Sequence, residues 1–87
     1  MKVKTIRPLE IRGKEKKTSS KNGKEYIIAR CEDIDTGKSY ELLDRNMEHY
    51  DYYVRGKLAY FTLDLSMGKY TNVSVAEFSF VDEERGL

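Results

Sequence analysis

Apolar and polar residues alternate along much of the chain, a period of two that predicts strands. In "GKLAYFTLDLS", Ala59, Phe61, Leu63 and Leu65 fall on one face and Leu58, Tyr60, Thr62 and Asp64 on the other. The last such segment, "YTNVSVAEFSFV", alternates Val73, Val75 and Val81 with Asn72, Ser74 and Ala76. Near the start, "KVKTIRPLEIRG" carries Val3, Ile6, Leu9 and Ile11 around Pro8, the single proline, which confines this segment to an edge or a bulge. "EYIIARCEDI" is rich in β-branched residues, and "DTGK" turns it into "SYELLDR". Only "NMEHYDYYV", residues 46 to 54, suits a short helix or an irregular connection. Strands joined by tight turns without βαβ spacing predict an all-β single domain over residues 1 to 87. The expected form is a small five-stranded antiparallel Greek-key barrel of the oligonucleotide-binding type, with an SH3-like barrel as the alternative.

One hairpin stands apart from this pattern. "KTSSKNGKEY", residues 17 to 26, holds Asn22-Gly23, the pair best suited to a two-residue hairpin turn. A turn there sets Lys21 opposite Lys24, Ser19 opposite Tyr26 and Lys17 opposite Ile28, all on one face. Like charges facing each other across strands are mildly destabilising. The strand entering this turn also has no large apolar residue, so residues 13 to 30 are expected to project as a basic wing. Lysines gathered around one tyrosine suit a single-stranded nucleic acid, whose phosphates need cations and whose bases stack on flat side chains.

Charge sharpens that expectation. The net charge is only +1, but residues 1 to 30 hold ten Lys or Arg against three Glu, and the remainder holds six against twelve acids. The N-terminal part is therefore +7 and the rest −6, which predicts a basic surface on an acidic body. Charged residues make up 36% of the chain and apolar ones 39%, in keeping with a folded domain that has a wetted surface. No apolar run is long enough to cross a membrane, and "MKVKTIRPLE" has no signal-peptide core, so no membrane or secretory role is expected. Cys31 stands alone, which suits a reducing cytoplasm.

Four elements in order resemble the small single-stranded DNA-binding proteins of filamentous bacteriophages. They are a basic first strand ending in "IRP" at Pro8, the wing element "GKEY" at 23 to 26, "GKSY" at 37 to 40, and "GKYTN" at 68 to 72. The resemblance covers essentially the whole chain. It implies an OB-like barrel forming a two-fold homodimer in the cytoplasm of a bacterial host. Each protomer would bind single-stranded DNA without sequence preference and cooperatively with its neighbours. By position, Lys16 and Lys21 match phosphate-contacting wing arginines, Tyr26 the wing tyrosine and Ile28 an apolar residue touching bases. Tyr40 matches a tyrosine near the DNA groove, Arg45 a basic residue ending the third strand, and Tyr70 an aromatic near the dimer axis. Lys17, Lys24, Arg30 and Lys69 complete the candidate nucleic-acid contacts. Two acids depart from the family pattern: Glu77 near a basic position and Glu25 in place of a proline.

Other chemistries find little support. His49 and Cys31 are each the single residue of their kind, so no metal-ligand set, Cys-His dyad or cofactor motif is expected, and the protein is not expected to be an enzyme. Glu32, Asp33 and Asp35 read as turn residues. The tyrosines of "HYDYYVRGK" read as barrel-capping aromatics. Phe78, Phe80 and Tyr70 occupy even positions of the last strand, opposite Val73 and Val75, so one of these faces requires cover from a second protomer or from the first strand. The competing function is a protein-interaction barrel whose basic wing docks an acidic partner. RNA in place of DNA is not distinguished by stacking surfaces.

Overall fold

The computed structural model describes residues 1–67 and 71–81, apart from the side chains at 67, 71 and 72. Six antiparallel strands run as β1 (Lys2–Lys4), β2 (Leu9–Thr18), β3 (Glu25–Glu32), β4 (Ser39–Asp44), β5 (Leu58–Met67) and β6 (Thr71–Phe80). A 3-10 helix, Met47–Tyr52, joins β4 to the β5 side. The expected all-β fold is observed, with six strand segments in place of five because Pro8 lies in a break that separates β1 from β2. Those two segments then pair with different stretches of β5, β1 through Lys2↔Asp64 to Lys4↔Thr62 and β2 through Leu9↔Ala59.

The sheet order is β1-β5-β2-β3-β4, with β6 also on β5. Strands β4 and β6 approach one another, but no ladder joins them among the described residues, so the barrel-like sheet is not closed by hydrogen bonds. Side chains bridge the gap instead, with Leu42, Leu63 and Val75 around a cavity of about 80 Å³.

The core follows from the alternation. Leu9 and Ile11 of β2, Ile27, Ala29 and Cys31 of β3, Ala59 and Phe61 of β5 and Val75 of β6 are all buried, together with Tyr53. Tyr53 stacks on Phe78 with ring centroids 4.8 Å apart, so the cluster of tyrosines after β4 does supply a core aromatic.

Two bulges change the parity of their strands. In β6, Thr62 pairs with Glu77 and Leu63 with Val75, leaving Ala76 unpaired. That extra residue rotates the strand, so Val75, Phe78 and Phe80 all join the core cluster. The expectation that Phe78 and Phe80 lie on the face opposite Val75 is therefore overturned. In β2, Ile11 pairs with Cys31 and Gly13 with Arg30, leaving Arg12 as the extra residue. Past this bulge β2 parts from β5 and continues with β3 alone, as the wing. The principal extents of 44 × 25 × 23 Å record that projection. The radius of gyration, 13.3 Å, likewise exceeds the ~12 Å typical of a compact chain this long.

Candidate nucleic-acid interface

The wing is built differently at its tip from the two-residue turn expected. Its loop runs from Ser19 to Lys24, closed by Ser19 N–H donating to the Lys24 carbonyl at 2.8 Å and Gly23 N–H to the Ser19 carbonyl at 2.9 Å. Of the Asn-Gly pair only Gly23 has positive φ, +72°, whereas a type I′ turn needs both. The Asn22 side chain instead accepts from Lys24 N–H at 2.9 Å, and Ser19 Oγ accepts from Lys21 N–H at 3.2 Å. The register becomes Lys17↔Tyr26, Thr18↔Glu25 and Glu15↔Ile28. Relative to the expected pairing the strands are displaced by two residues, so each side chain keeps its face while its partner changes. Lys21 and Lys24 no longer confront each other across a ladder, because both lie in the loop.

The β3–β4 connection, Asp33 to Lys38, repeats this geometry. Asp33 N–H donates to the Lys38 carbonyl, Gly37 N–H to the Asp33 carbonyl, and Gly37 has φ +76°. Asp33 Oδ1 accepts from Asp35 N–H, and Thr36 Oγ1 from Lys38 N–H. Ser-x-x-Asn-Gly-Lys and Asp-x-x-Thr-Gly-Lys are thus two copies of one turn, and each short polar side chain satisfies the amide two residues on.

Alternation then sorts the candidate residues between faces. Ile27, Ala29 and Cys31 point to the core, so Tyr26, Ile28 and Arg30 take the outer face of β3. Lys17 stands beside Tyr26 on that face, and Leu43 beside Ile28. At the tip, Lys21, Lys24, Tyr26, Leu43 and Arg45 line a hollow of about 530 Å³, with Glu25 as its one acid. Of the sequence-derived candidates, Lys21, Lys24, Tyr26 and Arg45 line this hollow, and Lys17, Ile28 and Arg30 share the outer face leading from it towards the body. Leu43 was not foreseen, although its alternation with Asp44 in "SYELLD" carries the signal.

Two candidates fall elsewhere. Lys16 pairs with Ile27 on the opposite face, where its ammonium lies 4.4 Å from the Tyr50 ring centroid, with Lys14 Nζ at 3.9 Å. Tyr40 pairs with Cys31 on the core side of β4 and lines a groove of about 350 Å³ with Leu9, Leu42 and Leu63, while also bordering a hollow of about 320 Å³ with Arg30 and Glu41. That displacement follows from its odd spacing relative to Leu43: side chains three residues apart on a strand face opposite ways. Lys69 and Tyr70 lie outside the described residues.

Towards the body the outer face becomes electrically mixed. Arg12 donates to Glu10 at 2.6 Å, and Glu41 pairs in register with Arg30. In the wall of the groove that Tyr40 lines, Arg7 donates to Asp33 at 2.8 and 3.1 Å and holds its carboxyl below the usual carboxylate range. That ion pair fixes the foot of the β3–β4 loop.

A buried polar network absent from the sequence reading supports the wing from below. Asp44, fully buried at the end of β4, accepts from Tyr53 Oη and His49 Nδ1, each at 2.6 Å, and from Asn46 N–H at 2.9 Å. Asn46 in turn caps the 3-10 helix by accepting from Glu48 N–H. The helix is thereby held against β3 and β4, and Lys14 Nζ donates to its Tyr50 carbonyl at 2.8 Å. Among the described residues no three acidic, His or Cys side chains are grouped as a metal ion requires. No helix among them is long and apolar enough to cross a membrane. Comparison with protein-family models, curated proteins and solved structures found no match.

Proposed function

We propose that this chain is a non-enzymatic, sequence-nonspecific single-stranded DNA-binding protein that coats replication or transfer intermediates of a phage or other mobile element. The observation that carries the reading is the outer wing face. There Lys17, Lys21, Lys24 and Arg45 surround Tyr26, and Ile28 and Leu43 continue the surface towards the body. Cations around a tyrosine match a strand with its phosphates outward and a base against the ring. Support comes also from the order of motifs shared with the filamentous-phage proteins. On that resemblance the protein acts as a cooperative homodimer in the bacterial cytoplasm.

The test is fluorescence anisotropy of labelled oligothymidylate titrated with protein across a salt series, with duplex of equal length as competitor. Tight binding that weakens with salt and yields poorly to duplex is expected, since each displaced counterion adds to the salt dependence. Tyr26→Ala should cost ~1–3 kcal/mol per stacked base, about five- to 150-fold in affinity, with the salt slope unchanged. Equal competition by duplex would instead favour a wing that docks any polyanion, including an acidic protein.

A further inference from the structure

Arg30 stands between two neighbours on the outer face, Gly13 of β2 and Glu41 of β4. Its side chain takes the β2 side. A Cβ built on Gly13 would lie 2.3 Å from Arg30 Nη2, 3.0 Å from Cζ and 3.3 Å from Nε, so the guanidinium fills the space that a side chain at 13 would occupy. No carboxylate is within 4 Å of this guanidinium among the described residues, whereas the adjacent Arg12 is engaged by Glu10 at 2.6 Å. Yet Glu41 is a cross-strand partner on the same face, a separation that an arginine readily spans. An exposed pair of this kind is close to neutral in free energy, so the space available at position 13 decides which way Arg30 turns.

We infer that Gly13 is a positioning residue that keeps Arg30 turned away from Glu41, leaving a free guanidinium at the foot of the wing to contact a phosphate of the bound strand. This rests on the single-strand reading. Tyr26, Ile28 and Arg30 occupy alternate positions of β3, so they stand in a row ~7 Å apart that leads from the tip hollow towards the body. The planar fork of arginine suits phosphate, and a charge already neutralised by Glu41 would add little to a polyanion's affinity. The bulge at Arg12 is where β2 leaves β5, so Gly13 lies at the joint between body and wing.

The same oligothymidylate titration tests this with Gly13→Ala, Arg30→Ala, the double variant, and Glu41→Gln alone and with Gly13→Ala. Gly13→Ala and Arg30→Ala should each weaken binding about tenfold and lower the slope of log K against log salt by ~0.7, one phosphate contact on a single strand. The double variant should bind no more weakly than Arg30→Ala. Glu41→Gln should improve binding more in the Gly13→Ala background than in the wild type, because it removes the competing partner. Thermal melting checks that each variant is folded. Wild-type affinity in Arg30→Ala or Gly13→Ala, or an undiminished Gly13→Ala effect without Arg30, would overturn the inference. If binding still depends on Tyr26 in that case, the inference falls alone; a wild-type protein that binds no strand removes both it and the function beneath it.

Discussion

Individual side chains set how this fold responds to pH. Cys31 is buried on the core face of β3, and burial pushes its thiol from 9.0 up to about 12. Burial, then the hydrogen bond to Asp44, also pushes the Tyr53 hydroxyl up. Both raised values mean that the folded state favours the protonated form. The stability they contribute is full below the unfolded thiol value near 9 and is lost as pH rises towards 12, at ~1.4 kcal/mol per unit for the thiol. Urea midpoints measured from pH 7 to 11 should hold level and then fall above 9, and Cys31→Ala should flatten part of that fall. Asp33 works in the opposite sense. Its lowered value, due first to the Arg7 hydrogen bond, stabilises the fold above the unfolded carboxyl value and is lost as pH falls below ~4. Arg7→Ala should therefore remove part of the loss of stability that urea midpoints show when the series is carried from pH 7 down through the carboxyl range.

Among the elements, the two copies of one six-residue loop separate structure from binding. The side-chain acceptors, the left-handed glycine and the closing hydrogen bonds agree between Ser19–Lys24 and Asp33–Lys38, so their first four residues are structurally interchangeable. Replacing Ser19–Asn22 by Asp-Ile-Asp-Thr should leave stability within ~0.5 kcal/mol by thermal melting, as for other exposed substitutions. It should also weaken oligothymidylate binding strongly, because Lys21 becomes an acid beside Tyr26. The reverse exchange should destabilise, since a serine at 33 cannot hold Arg7. The 3-10 helix has little intrinsic stability at this length. Its hold on the sheet comes from the Asp44 network, in which one buried carboxyl group at the end of β4 accepts from the cap residue Asn46, from His49 of the helix and from Tyr53 just beyond it.

For the molecule as a whole, the projection of the wing is the dominant feature. Its loop at Ser19–Lys24 is exposed apart from half-buried Ser19 and holds two lysines far from the core. Trypsin should therefore cut first after Lys21 or Lys24, as mass spectrometry of early digests would read. Saturating oligothymidylate should slow that cleavage several-fold if the strand lies in the hollow. The same geometry explains how a chain of net charge +1 presents a basic surface: Lys14, Lys16, Lys17, Lys21 and Lys24 are carried outward by β2 and its loop beyond the point where β2 leaves β5.

By itself the sequence determined the all-β class, the positions of most strands, the basic wing and the side of β3 on which Tyr26, Ile28 and Arg30 stand. These are local properties, since a period of two and the chemistry of a glycine turn are written into adjacent residues. Only the tertiary structure decided the rest. One extra residue at Arg12 or Ala76 reverses the facing of all that follows, and whether it is inserted depends on the strand across the ladder. The loop at the wing tip took six residues because Ser19 and Asn22 could satisfy amides that a two-residue turn would not offer them. Arg30 turned to Gly13 over Glu41 for the same reason: the outcome depends on space and partners supplied by residues distant in the chain.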